Sequence, residues 1–295
     1  MVHDVIIIGG SYAGMAAGLQ LARARRNVLV VDGGQRRNRF AAHAHGFLGQ
    51  DGRDPSAIAA DGRTQLLAYP SVSWREGHVS SVAAGEEGFV ATLADGERVE
   101  GRRLVLAMGV TDTLPPIEGL AERWGRAVFH CPYCHGYELD RGELAVLATG
   151  RTALHQAMLI PEWGATTLLL NDALVLAPEE RDELDWRGVT VIEGPVQAIR
   201  GHADVVLEDG RMLSFAGIFT ASRTAPSSPF AEALGCAMEE GPLGPFIRTD
   251  QMQQTSVRHV FACGDAARGA GSLALAVGDG TMAGAATHRS LIFPG

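Results

Sequence analysis

The stretch Val5-Ile6-Ile7-Ile8-Gly9-Gly10-Ser11-Tyr12-Ala13-Gly14 decides how this chain is read. Four β-branched residues predict a short buried strand, and the two glycines behind them stop it. Small and apolar residues at helical spacing over Met15–Arg25 predict a helix directly after the turn. Val28-Leu29-Val30-Val31 predicts a second buried strand, closing on Asp32. Strand, turn, helix and strand within about thirty residues make a βαβ unit. Gly9–Gly14 fits the pattern G-x-G-x-x-G, with Ser11 standing at the second glycine. That pattern supplies a tight turn, a backbone that can approach a pyrophosphate, and a helix N-terminus aimed at negative charge. Serine is small enough for the approach, and its hydroxyl can donate to phosphate. Asp32 lies about twenty residues on, at a strand end, where a carboxylate accepts from ribose hydroxyls. The plain alternative is a glycine-rich turn with no ligand; the strand before, the helix after and the acid at the right distance argue against it.

Working outward, Phe89–Thr92 and Arg98–Val99 flank Asp95-Gly96, a hairpin signal, and Leu104–Ala107 reads as a buried strand stopped by Gly109. A second βαβ-like unit begins at Leu144–Leu147, turns through Ala148–Ala153, runs a helix to about Trp163 and returns at Thr166–Leu170. A further hairpin signal follows at Asp209-Gly210. Val260-Phe261-Ala262 predicts a strand before Gly264-Asp265, and Leu273–His288 a helix of small residues. The recurrence of βαβ plus hairpin predicts an α/β fold with two Rossmann-like, three-layer nucleotide-binding domains, the second inserted into the first. Pro115-Pro116 and the stretch near Ala221–Pro229 are the expected crossings. The expected domains are residues 1–113 with 223–295, and residues 114–222 between them. Order along the chain favours FAD over NAD in the first site. The Val260–Asp265 strand and its Gly-Asp end offer a second phosphate and ribityl contact that a plain dehydrogenase lacks.

With 295 residues, 46% hydrophobic and 20% charged, the chain can bury two ordinary cores. The net charge of −9 argues against nucleic-acid binding, and no basic run stands out. No segment reaches the roughly 18 apolar residues of a membrane span, and Met1–Asp4 carries no basic leader. A cytoplasmic address is therefore expected, where structural disulfides are rare.

His130-Cys131-Pro132-Tyr133-Cys134-His135-Gly136-Tyr137-Glu138 carries the chemistry. Two thiols two residues apart can close a small disulfide and exchange it, and the adjacent His135 imidazole can move the proton that thiolate chemistry requires. Cys-x-x-Cys-His is also a haem c attachment pattern, but the frame is of the flavin type. A zinc knuckle needs a second ligand pair, which Cys236 and Cys263 do not form, so no metal is expected. Two buried thiols acting as small hydrophobes is the remaining alternative; redox activity is the reading adopted. Cys263 and Cys236 read as structural. His43 and His45 lie in a polar, glycine-containing loop and read more readily as loop residues, with His45 kept among the candidate cofactor contacts.

Over essentially its full length the chain resembles the low-molecular-weight thioredoxin reductases. The resemblance rests on Gly9–Gly14, Asp32, Leu104–Gly109, Cys131 with Cys134, Gly264-Asp265, and the later Gly278-x-Gly280. It implies an FAD domain split by an inserted pyridine-nucleotide domain that carries the cysteines. Cys131 would exchange with substrate and Cys134 would face the flavin. Val79, Ala107 and Gly109 would touch FAD, and Asp265 would stand at the ribityl–pyrophosphate site; Gly33, Ser272 and Leu273 are further expected contacts. A homodimer and a thioredoxin-like partner, or a small dithiol or disulfide, are implied in the same way.

Departures from that family leave the direction of electron flow open. Ala148-Thr149-Gly150-Arg151-Thr152-Ala153 keeps one glycine of the family's second nucleotide turn. Leu170-Asn171-Asp172-Ala173 lacks the arginines that meet the NADPH 2′-phosphate, so the use of NAD(P)H is left undecided. Gly271-Ser272 replaces an Arg-Gln pair, and His135 stands where an acid usually follows the second cysteine. The Cys-x-x-Cys-His-Gly-Tyr pattern resembles a branch of dithiol oxidases that close disulfides in small metabolites and pass the electrons through FAD to oxygen. Three functions are therefore carried forward: a reductase-like thiol–disulfide oxidoreductase, an oxygen-dependent dithiol oxidase, and a flavin redox sensor that does not turn over.

Overall fold

The computed structural model describes residues 2–293 of the chain. It divides into two units, one of residues 1–39, 47–111 and 224–295, the other of 40–46 and 112–223. The first unit opens on β1 (Val2–Ile8), α1 (Tyr12–Arg23) and β2 (Val28–Asp32), continues through α2 (Pro55–Leu67) and β3 (Val72–Glu76), then forms β4 (Val79–Ala84), β5 (Phe89–Leu93) and β6 (Arg98–Leu106). The chain leaves this unit within β7 (Val110–Thr113). The helix expected from Met15 begins at Tyr12, one residue past Ser11, because the glycine turn runs directly into it.

The second unit holds β8 (Val128–Phe129), α3 (Pro132–His135), β9 (Arg141–Leu147), α4 (Thr152–Leu159), β10 (Gly164–Leu169), α5 (Pro178–Trp186) and β11 (Thr190–Ile192). A meander of β12 (Val196–Arg200), β13 (Asp204–Leu207) and β14 (Met212–Ser214) precedes β15 (Gly217–Thr220). The chain returns to the first unit within β16 (Arg223–Pro226), then adds α6 (Phe230–Ala233), the hairpin β17 (Met238–Gly241) and β18 (Gly244–Ile247), β19 (Val260–Ala262) and α7 (Leu273–Ile292).

In the first unit one sheet runs β3-β2-β1-β6-β5-β4, with β19 also on β6. Strands β3, β2, β1, β6 and β19 are parallel; β5 pairs β6 antiparallel across Asp95-Gly96 as the expected hairpin, and β4 attaches antiparallel to β5. Alternation along β1 sets its two faces. Ile6 and Ile8 join Leu104, Leu106, Val260 and Phe89 in one core, while Ile7 lies under Gly18 of α1 and Leu66 of α2. The helices α1 and α7 cross without room for side chains. A Cβ on Gly280 would overlap the Ala13 carbonyl oxygen, and one on Gly284 the Ala17 carbonyl.

The second unit is a parallel sheet, β11-β10-β9-β15-β8, filled on both faces. Leu144, Val146 and Leu168 point towards Ala153 and Ala157 of α4 and Leu184 of α5. Their neighbours Ala145, Leu147 and Leu169 point towards Val196, Ile199, Val205 and Leu207 of the meander. Strands buried on both faces read as continuous apolar runs, as these do. Both units are therefore parallel-sheet α/β folds of Rossmann type.

Candidate functional site

In the first unit the glycine turn is built for a close approach. Gly9 has φ of 103°, and a Cβ there would overlap the Ala107 carbonyl oxygen; a Cβ on Gly14 would overlap the Gly9 carbonyl oxygen. Ser11 is the N-cap of α1 in extended conformation with no side-chain cap bond, which leaves the first-turn N–H groups to other acceptors. The Gly10 N–H donates to Asp32 Oδ1 at 3.1 Å, fixing the carboxylate at the end of β2. Ala107 thus backs the turn, and Gly109 (φ 67°) follows it. Gly33 packs on the His78 ring, and Val79 begins β4 just beyond it.

The return segment meets the same turn. Gly264 (φ 70°) lies where a Cβ would stand 2.8 Å from Ala13 Cβ. Asp265 Oδ2 pairs with Arg37 at 3.0 Å, and the Gly271 backbone packs against its other oxygen. Ser272 caps α7, accepting from the Leu275 N–H at 3.3 Å, and Leu273 opens that helix. The structure thus gathers Gly9, Gly10, Ser11, Tyr12, Ala13, Gly14, Asp32, Ala107, Gly264 and Asp265 around the first turn of α1.

From the segment after β2, sequence reading took only Gly33 and the two histidines. Tyr12 Oη donates to the Pro55 carbonyl at 2.8 Å and accepts from Asn38 Nδ2 at 3.2 Å. Burial raises the Tyr12 phenol above its ordinary value. Arg36, Arg37 and Arg39 fall within four residues directly behind the acid-bearing strand, and this cluster was the available signal. Asn38 Oδ1, Arg36 Nε and Trp74 Nε1 are buried without a hydrogen-bond partner. Trp74 also packs on Gly10. Orphaned polar atoms beside an uncapped helix start and a glycine cradle fit a dinucleotide with phosphates, sugar hydroxyls and ring heteroatoms.

The second unit carries the thiols. Cys131 is the N-cap of α3, and the Cys134 N–H donates back to its carbonyl at 3.3 Å, one turn on. Both are partly accessible, whereas Cys236 and Cys263 are buried. Burial raises the Cys236 thiol, and burial together with the Asp279 carboxylate raises Cys263 well above the usual thiol range, so both are inert at neutral pH. His135 stacks on Phe129 with ring centroids 4.3 Å apart. Burial first, and the neighbouring His45 imidazole second, lower its pKa to about 4. His45 comes from residues 40–46, which cluster with this unit, and its Nε2 lies 3.4 Å from Glu138 Oε1. The structure thus places His45 with His135 and the cysteine pair's unit.

The loop after β9 is also engaged. Arg151 pairs through both terminal nitrogens with the Glu180 carboxylate, which in turn accepts from the Ala177 N–H that opens α5. Asn171 Nδ2 donates to the Ala148 carbonyl at 3.2 Å, and its Oδ1 accepts from the Val196 N–H at 2.8 Å. Among the described residues no group of three or more His, Cys, Asp or Glu is arranged to hold a metal. Among them, no helix is long and apolar enough to cross a membrane.

Two parallel-sheet units, one with a glycine turn and one with an accessible dithiol, define a two-domain nucleotide-binding oxidoreductase. The chain belongs to the pyridine nucleotide-disulphide oxidoreductase family, matched over residues 3–280. It is similar to the thioredoxin reductase sirT of Leptosphaeria maculans, 30% identical over 97% of this chain and 94% of that protein. It is also similar to the thioredoxin reductase tcpT of Claviceps purpurea, 31% identical over 99% and 95%. Among solved structures, the oxidoreductase from Agrobacterium tumefaciens is 55% identical with a TM-score of 0.98, covering 100% of both chains. The resemblance to thioredoxin reductases and the expected α/β fold are thereby borne out, and the protein is an oxidoreductase.

Proposed function

We propose that this protein is an FAD-dependent thiol–disulfide oxidoreductase working through Cys131 and Cys134. One observation carries the reading: of the four cysteines only this pair is partly accessible, and next to Cys134 stands the half-buried His135, stacked on Phe129 with its pKa lowered by burial. Cys131, at the start of α3, is the thiol for exchange with substrate; Cys134 is its resolving partner and the one that faces the flavin. Closing the pair removes two electrons and two protons; opening it returns them. His135, uncharged above about pH 4, accepts a thiol proton on closing and returns it on opening. The Glu138 carboxylate beside His45 gives that proton a route away from the ring.

The turn Gly9–Gly14, Asp32, Gly33, Val79, Ala107, Gly109, Gly264, Asp265, Ser272 and Leu273 would hold FAD. When bound, the flavin supplies two-electron exchange with the cysteine pair. The partner is a thioredoxin-like protein or a small dithiol or disulfide, and the enzyme is a homodimer on the same family grounds; a cytoplasmic address rests on the sequence expectation alone.

A second reading, the oxidase direction with a small dithiol as donor and oxygen as acceptor, is favoured by one specific observation. Arg151 is spent on Glu180 and Asn171 on backbone, while Asp172 is acidic, so this region offers little to a nicotinamide nucleotide's phosphates. The test is an anaerobic titration of the purified yellow protein, following the flavin band. Bleaching by NADPH or NADH establishes the reductase direction. Bleaching by a dithiol alone establishes the oxidase direction. Cys134→Ser should stay yellow and lose dithiol-driven bleaching; an active variant would remove the cysteine assignment. Loss of flavin on purification of the wild type would remove the FAD reading, and binding without steady turnover would leave a sensor.

A further inference from the structure

Arg103 is a buried cation, 6% exposed, that forms no ion pair among the described residues. It lies on β6 level with Val5 of β1, towards the end of the sheet away from the Gly9 turn. Its Nε donates to Ser290 Oγ at 2.8 Å, its Nη2 to the Ser290 carbonyl at 2.6 Å, and its Nη1 to the Arg102 carbonyl at 3.0 Å. Ser290 belongs to the last turn of α7, whose carbonyls carry about half a negative charge. That contact fixes the guanidinium and offsets part of its charge. A guanidinium has five N–H donors, so two remain beyond these three bonds.

Positive groups crowd it further. Arg102 pairs only loosely, with Asp4 Oδ1 at 3.8 Å. Arg258 and His259 directly precede β19, and the pairing of Val260 with Leu104 brings them to Arg103. His259 has φ of 69°, a left-handed conformation uncommon outside glycine, and its carbonyl accepts the Leu104 N–H at 3.1 Å. Burial first, then Arg102 and Arg258, lowers the pKa of Arg103. Burial, then Arg103 and Arg258, lowers that of His259.

All of these positive groups line one cavity of about 660 Å³, a size that suits a small molecule. Phe89 and Val257 add an apolar patch to its wall, and the exposed Glu86 and Glu87 of the β4–β5 turn complete it. We propose that this cavity binds a phosphate group, free or carried on a small uncharged body, through Arg102, Arg103 and His259. A tetrahedral oxyanion offers acceptors to donors that arrive from several directions, whereas a planar carboxylate is matched by a single guanidinium fork. The body of an ester would lie on Phe89 and Val257, and the two glutamates would repel a second anionic group. The site belongs wholly to the first unit and does not depend on which dinucleotide the glycine turn holds.

The experiment titrates the purified holoenzyme calorimetrically with inorganic phosphate, phenyl phosphate and acetate at constant ionic strength. Both phosphates should bind and acetate should not. Tighter binding of phenyl phosphate identifies an ester as the ligand, and equal binding identifies the free ion; each supports the site. Arg102→Gln should weaken phosphate by about tenfold or more, the scale of a charge-assisted bond. His259→Asn, which tolerates the left-handed backbone, should weaken it less. Dithiol-driven bleaching should be unchanged in both variants. Replacing Arg103 would also uncap α7, so it is not used. Independently, the His259 ring signal, assigned by magnetic resonance through its backbone, is followed against pH. Saturating phosphate should raise its pKa, since a bound anion favours the imidazolium. Phosphate heats no larger than those of acetate, or full phosphate affinity in both variants, would overturn the proposal. Should the variants fail to fold, the wild-type His259 titration decides it: a raised pKa supports the site, and an unmoved one overturns it.

Discussion

His135 shows how much a single side chain's meaning depends on where it is buried. An imidazole in water titrates near pH 6.5, inside the working range of most cells. Stacked on Phe129 and next to His45, it is held neutral down to about pH 4. The unfolded chain takes up a proton below about 6.5 while the folded chain does not. The contribution of this group to stability is therefore complete above pH 6.5 and is lost as pH falls from there to about 4, by about 3 kcal/mol. His135→Phe keeps the stacked ring and removes the titration. Urea melts at pH 7 and pH 4.5 should show the wild type losing more stability than the variant by an amount of that order; parallel losses would mean that the ring is not buried and neutral. Position 135 was legible in the sequence as a proton carrier beside Cys134. Its charge state was not, because it is set by burial, with Phe129 stacked on the ring, and by the charge of His45, six and ninety residues away in the chain.

The crossing of α1 and α7 ties the phosphate turn to the C-terminal helix at the scale of elements. Gly280 and Gly284 let the α7 backbone lie on the carbonyls of Ala13 and Ala17. Replacing Gly280 by leucine would force that crossing apart at the residue that also borders Gly264. Overpacking of this kind costs on the order of 1–3 kcal/mol where the structure can yield, and here it would yield by moving the first turn of α1. The expected outcome for Gly280→Leu is a lowered Tm and weaker flavin retention together; a stable, fully yellow variant would mean that the helices separate without disturbing the turn. Sequence periodicity announced both helices, and Leu273–His288 was legible as a helix of small residues. It could not announce which backbone those small residues meet. The meander β12–β14 was read only through Asp209-Gly210, since the sheet it covers is distant in the chain.

For the whole molecule, the two units differ in continuity. The second has its own sheet and cores on both faces, drawn almost entirely from residues 112–223. The first is assembled from segments on either side of it, with β19 pairing β6 and α7 packing α1 only after the insert has been made. A fragment of residues 112–223 should therefore fold alone and melt cooperatively by circular dichroism. A chain ending at residue 223 should keep that transition and lose flavin binding. Retained flavin in the shortened chain would show that β19 and α7 are dispensable to the first unit.

Short-range pattern determined the β1–turn–α1 unit, the hairpins and the Cys-x-x-Cys pair, because β-branched runs, glycine turns and two-residue spacing act between neighbours in the chain. Tertiary structure alone decided the rest. It brought Arg37 to Asp265 across 228 residues, spent Arg151 on Glu180, carried residues 40–46 into the second unit, and stripped water from His135. Each of these is a matter of distance and desolvation between segments that no local pattern relates.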